Sequence, residues 1–191
     1  EEPLLEAVHT PQLRQRSDGS GVVIATPVLP QGHPDDPAAL RGLLDALVDA
    51  APQAGLITWY CTPMALRFSA HLLPDVCVYD CMDELSAFAN PPAGLADLED
   101  QLFDMADLVF AGGRSLYEAK KLRHTDVHCF PSSIDAAHFH RARFMQPDPA
   151  DQAAIAFPRI GFFGVIDERM DLDLVRQAAD ALPDVQFVML G

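Results

Sequence analysis

Residues 107–139 read DLVFAGGRSLYEAKKLRHTDVHCFPSSIDAAHF, and this stretch decides the fold. Leu108, Val109 and Phe110 form a short apolar run of strand type. Gly112-Gly113 breaks it, and Ser115 opens a short amphipathic helix. Val127 to Phe130 make a second strand, closed by Pro131-Ser132-Ser133-Ile134-Asp135 with Phe139 downstream. Strand, polar turn, helix and strand in so few residues predict a parallel crossover unit, because parallel strands need a connection that returns over the sheet. Ligands of open parallel sheets bind outside the carboxyl ends of the strands. The polar and small residues at 112–115 and 132–135 therefore mark the working edge.

Upstream, the same alternation repeats. Val22-Val23-Ile24-Ala25 is a continuous apolar run that reads as a strand buried on both faces and ended by Thr26-Pro27. Arg16 to Gly21 reads as a turn, and Leu4, Leu5 and Val8 as the end of an earlier element. Asp36 caps a helix with Pro37 in its first turn, in which Leu40, Leu43, Leu44, Leu47 and Val48 share one face. Leu56 to Tyr60 is a strand ended by Thr62-Pro63, Met64 to Leu73 a short helix, and Val76 to Tyr79 a further strand. A helix near Leu95 to Ala106 follows, its inner face made of Leu95, Leu98, Leu102, Phe103 and Met105. This alternation predicts an α/β fold with a Rossmann-like parallel sheet flanked by helices. Three stretches follow: a Rossmann-like lobe over 1–140, a proline-containing linker over 141–157, and one βαβ unit over 158–191.

Composition bounds the function. The chain has 191 residues, 49% of them hydrophobic, which suffices for a globular core. Its formal charge of −15 disfavours duplex nucleic acid and anionic lipid, which select for clustered Lys and Arg. No apolar run reaches the roughly 20 residues of a membrane span, and no leader pattern opens the chain. Glu1 is not an initiator Met, so the sequence reads as a fragment or a processed product. Cys61, Cys77, Cys81 and Cys129 stand on or after apolar runs with no C-x-x-C spacing. They read as small buried thiols of a reduced compartment, and the localisation expected is cytoplasmic.

The strand ends collect the chemistry: Thr26, Thr62, Asp80 to Glu84, Gly112 to Ser115, and Ser132 to Asp135. Asp80, Asp83 and Glu84 are the carboxylate cluster of that rim. They suit a general base acting on a hydroxyl or the binding of a polyol; equally, they suit helix capping and turn formation. Gly112-Gly113 with Arg114 and Ser115 suits an anion cradle, or the turn geometry alone. The pattern matches neither the dinucleotide fingerprint nor the phosphate loop. The histidines form no metal pair: His138 and His140 are two apart, His9, His33 and His71 lack ligand partners, and His128 reads as a packing residue.

Pro131-Ser132-Ser133-Ile134-Asp135 with Phe139 resembles the P-N-G-V-D…F turn of GT-B glycosyltransferases, which have two Rossmann-like lobes. Pro158-Arg159-Ile160-Gly161-Phe162-Phe163-Gly164 resembles the first strand and glycine turn of their second lobe. Tyr79-Asp80-Cys81-Met82-Asp83 upstream fits the same family order. The resemblance implies an acceptor-side lobe plus the first unit of the nucleotide-sugar lobe. The implied reaction is sugar transfer from a nucleotide-sugar donor to a sugar or polyol acceptor, with no cofactor and no obligatory metal. Asp80, Asp83 and Glu84 would be catalytic, with Thr62, Gly112, Gly113, Arg114, Ser115 and Ser133 in the acceptor cleft. Gly164 and Arg169 would contact the donor, although Val165 stands where the family usually has Arg. The family's acidic donor motif would lie beyond Gly191, so the fragment alone is expected to be inactive, and residues 158–191 are expected to be ordered either by packing on the first lobe or through self-association. A non-catalytic binding domain and a GT-B-shaped sugar-nucleotide epimerase are the alternatives.

Overall fold

The computed structural model describes residues 3–32, 36–52, 55–87 and 90–191. The chain divides into two compact units, Glu1–Ser132 and Ser133–Gly191.

The first unit opens with a three-stranded sheet of β1 (Leu4–Glu6), β2 (Gln12–Ser17) and β3 (Val23–Pro30). β3 is central, parallel to β1 and antiparallel to β2. In the β2–β3 turn the Asp18 carboxylate accepts the Ser20 N–H at 2.9 Å, and Gly19 and Gly21 take positive φ angles. Two expectations are corrected here. The strand runs through Thr26-Pro27 to Pro30, so Thr26 lies inside it and not at a strand end. Pairing with β1 begins only at Val28, so at Pro27 the strand has edge character, where proline is tolerated. The buried residues are Thr26, Val28 and Leu29, whereas Val22 and Val23 are exposed.

Helix α1 (Pro37–Asp49) follows, with Asp36 accepting the N–H groups of Ala38 and Ala39 as its sequence predicts. Leu40 is buried, and Leu43, Leu44, Leu47 and Val48 are half-buried. β4 (Ile57–Tyr60) leads into a 3-10 turn at Pro63–Ala65 and the single-turn α2 (Leu66–Ser69). This helix is shorter than predicted. The Leu72 N–H turns to Ser69 O at 3.0 Å, and the chain must extend before Pro74. β5 (Val76–Cys81), α3 (Leu95–Met105), β6 (Leu108–Ala111), α4 (Arg114–Lys120) and β7 (Val127–Cys129) complete the unit.

β4 to β7 form a four-stranded parallel sheet in sequence order, flanked by helices. Strands added in one direction by right-handed crossovers place their helices on one face. The core shows this: Tyr60, Cys77, Tyr79, Cys81 and Val109 of the sheet pack with Leu66 of α2, Leu102 and Phe103 of α3, and Leu116 of α4. Burying a side chain such as Leu102 fully contributes roughly 1.5–3 kcal/mol. The alternate residues point the other way. Trp59 stacks on Phe110 with centroids 5.4 Å apart, Phe130 packs on Phe110 at 5.1 Å, and Ile57 and Trp59 remain 64% and 56% exposed.

The second unit holds α5 (Ala136–His140), capped by the Asp135 carboxylate through the His138 N–H at 3.0 Å, and a 3-10 turn at Arg141–Arg143. β8 (Arg159–Phe163), α6 (Leu172–Ala181) and β9 (Gln186–Leu190) form the expected βαβ unit, with β8 parallel to β9. Arg159 lies over the Phe157 ring at 3.9 Å and pairs with Asp148 at 3.1 Å. Ile160, Phe162, Phe163 and Leu190 are exposed, whereas Phe187 and Val188 are half-buried. Among the described residues no helix is long and apolar enough to cross a membrane.

Candidate functional site at the carboxyl edge of the parallel sheet

The register fixes which loops meet. Asp80 pairs with Phe110 and Cys81 with Ala111, and the Gly112 N–H continues the ladder to Cys81 O at 2.8 Å. Tyr60 pairs with Tyr79, so Thr62 follows the same end of the neighbouring strand. Thr62, the Asp80–Glu84 stretch and Gly112–Ser115 therefore share one edge of the sheet. Ser133 is exposed and opens the second unit. Thr26 belongs to the other sheet.

The three carboxylates do not act as one cluster. Asp80 is still within β5, and its side chain turns to the open face, where Oδ2 accepts the Trp59 Nε1–H at 3.1 Å. Asp83 is exposed; its backbone carbonyl accepts the Cys81 thiol at 3.6 Å, and its carboxylate has no protein partner among the described residues. Glu84 accepts Lys120 Nζ at 2.7 Å and Ser86 Oγ at 3.0 Å. Beside this loop, Ser86 and residues Pro91 to Asp97 line a cavity of about 350 Å³, a size that admits a small ligand.

The neighbouring edge residues have structural partners too. Thr62 caps the 3-10 turn by accepting the Met64 N–H at 3.3 Å. Gly112 lies against Met82, where a Cβ would sit 3.0 Å from its Cα. Gly113 is extended at φ −171, and Arg114 pairs with Glu118 at 3.1 Å. Ser115 is exposed. Close backbone approach is thus a sufficient reason for glycine at 112.

Behind the edge lies a buried polar network that the apolar periodicity conceals. Lys120 is 2% exposed and donates to Glu84 and to both oxygens of Glu99, at 3.1 and 3.3 Å. Glu99 also accepts Tyr79 Oη at 2.9 Å and Arg123 Nη1 at 2.7 Å. Arg123 covers the Phe103 ring at 4.2 Å and also pairs with Asp100. Burial pushes the Glu99 carboxyl up, but the bonds from Arg123, Lys120 and Tyr79 outweigh it and hold it below its ordinary value. Burial lowers Lys120, and its bonds to Glu84 and Glu99 overcome that and raise it. Burial pushes the Tyr79 hydroxyl well up. A sequence signal existed: Glu99 sits between Leu95 and Leu102 on the inner face of α3, and a carboxylate there requires a buried cation.

In the second unit, Gly164 has φ 147 and donates its N–H to Leu190 O at 3.0 Å, with the Phe162 ring where a side chain would project. Arg169 grips Asp167 through Nε at 2.9 Å and Nη2 at 2.5 Å, which holds the Asp167 carboxyl below its ordinary value. Cys77 and Cys81 are buried as expected, but Cys61 is exposed. His128 is also exposed, pairing with Asp126 at 2.7 Å instead of packing inside, and His71 pairs with Asp45 at 2.5 Å. His33 lies outside the described residues. Among the described residues no group of three His, Cys, Asp or Glu side chains is placed to hold a metal. No family model, curated protein or solved structure matches the chain.

Proposed function

We propose that the chain is the acceptor-side lobe, with the first βαβ unit of the donor-side lobe, of a GT-B-type glycosyltransferase. The reaction is transfer of a sugar from a nucleotide sugar to a sugar or polyol acceptor. The observation that carries this reading is that Thr62, Asp83 and Gly112 all follow the carboxyl ends of adjacent strands of one parallel sheet, with a ligand-sized cavity lined by Ser86 of the same loop as Asp83. Asp83 is the carboxylate of that edge with no side-chain partner among the described residues, and it takes the acceptor hydroxyl's proton as general base. Arg169 neutralises charge on the donor diphosphate, exchanging Asp167 for phosphate oxygens.

A second reading, a non-catalytic α/β binding domain, draws on one observation: Asp80, Glu84 and Arg169 all have partners within the chain. Calorimetric titration of the full-length enzyme, which would carry the remainder of the donor lobe, with nucleoside diphosphates and a panel of nucleotide sugars tests the transferase reading. Supporting it would be donor binding that Arg169→Ala weakens about ten-fold or more, the loss expected of a charge-assisted contact. Absence of binding by every donor overturns it.

A further inference from the structure

We propose that Lys120 is the positioning residue of the loop after β5, and that Glu84 is committed to this clamp and is not a base. The inference rests on the glycosyltransferase reading only where it assigns the loop to the acceptor side. Three observations carry it. First, Lys120 is 2% exposed, so its ammonium group has exchanged water for protein partners. Second, those partners differ in kind. Glu99 is itself buried and is fixed further by Tyr79 and Arg123, which makes it the rigid end. Glu84 lies on the loop, its side chain 38% exposed, which makes it the movable end. Third, the contact spans 36 positions of sequence and ties the end of α4 to the loop that carries Asp83.

Chemistry then divides the carboxylates. A general base loses its negative charge when it takes a proton, and Glu84 would then leave the buried Lys120 ammonium with one anionic partner fewer. Asp83 faces no such penalty. Among the described residues the loop's other contacts are local or run through Met82: the Ala87 N–H reaches Glu84 O at 2.9 Å, Ser86 Oγ donates to Glu84 at 3.0 Å, the Cys81 thiol makes a long bond to Asp83 O, and Met82 lies against Gly112. Release of Glu84 therefore loosens the segment that presents Asp83, while the Lys120–Glu99 end stays in place.

Amide hydrogen exchange on peptides spanning 82–87 tests this without any assay of transfer. In Glu84→Ala, exchange there should accelerate about ten-fold, the equivalent of one charge-assisted hydrogen bond, with β5 and α3 unchanged. Glu84→Gln retains an oxygen that accepts from Lys120 and should restore most of the protection. Lys120→Met is informative if it folds, and the two Glu84 variants decide the matter if it does not. Exchange in Glu84→Ala equal to that of the parent chain overturns the clamp, as does a Gln variant as loose as the Ala variant. Failure of donor binding in the titration above would remove the transferase reading and leave this result untouched.

Discussion

Gly112 sits so close to Met82 that a Cβ at position 112 would meet the Met82 Cα at 3.0 Å and its carbonyl oxygen at 3.1 Å. The obstacle is backbone, which cannot swing aside as a side-chain tip can. Gly112→Ala should therefore push the loop after β5 away from β6 and cost about 1–3 kcal/mol, as overpacking does. Gly113 is the internal control: a Cβ there meets nothing within 4 Å, and its φ of −171 suits any residue. Urea midpoints compare the two. Equal loss in both variants would show that the close approach is not what selects glycine.

The Tyr79–Glu99–Lys120 chain predicts an ordered series of stabilities. Tyr79→Phe removes one donor from Glu99, which keeps Lys120 and Arg123, and should cost about 1–2 kcal/mol. Lys120→Met leaves Glu99 with one of its two cations and Glu84 with no cation among the described residues, and should cost about 3–5 kcal/mol. Denaturant unfolding measures both. A Lys120→Met variant as stable as Tyr79→Phe would mean that Arg123 alone compensates the buried carboxylate.

The open face of the parallel sheet is readable through its indole. Trp59 is the only tryptophan of the chain, is 56% exposed, and lies between the Phe110 ring and the Asp80 carboxylate. Its emission should be red-shifted and accessible to acrylamide. Asp80→Asn weakens the acceptor for Nε1–H and should alter the emission with little loss of stability. A blue-shifted, unquenched spectrum would mean that this face is covered in solution.

Much of this architecture was legible in the sequence, and the exceptions have physical causes. β4 to β7 stand out as apolar runs closed by Thr-Pro, Asp, Gly-Gly or Pro-Ser, and in β5 and β6 burial at the centre of the strand leaves few polar positions. Asp36 and its helix were equally plain, since capping is local. β3 was misjudged because Thr26-Pro27 looks like a stop. Whether proline stops a strand depends on which neighbour is paired beside it, and that is not a local property. Glu84 was grouped with Asp80 and Asp83 by proximity in sequence. Its partner Lys120 lies on another helix, and Asp80 turns to the opposite face through strand alternation. Adjacent carboxylates acquired separate environments through contacts that span the fold.

The same buried network sets how stability depends on pH, and the sign differs for each member. Glu99 is held below its ordinary value of 4.5, so its contribution is present above that pH. It is lost as pH falls through the lower folded value, when the carboxyl protonates and releases Lys120 and Arg123. Lys120 is raised above 10.5 and Tyr79 above 10.0, each despite or because of burial as its partners dictate. Their contributions are complete below those values and are lost progressively as pH rises above them, because the unfolded chain releases protons that the folded chain still holds. Burial also raises the Cys81 thiol above its ordinary value of 9.0, so thermal midpoints should stay level between about pH 5 and pH 8 and decline on both sides. Two variants assign the limbs: Glu99→Gln should flatten the acid decline, and Tyr79→Phe should make the alkaline decline shallower. If the alkaline limb of Tyr79→Phe superimposes on that of the parent chain, ionisation of Tyr79 is not what destabilises the fold there.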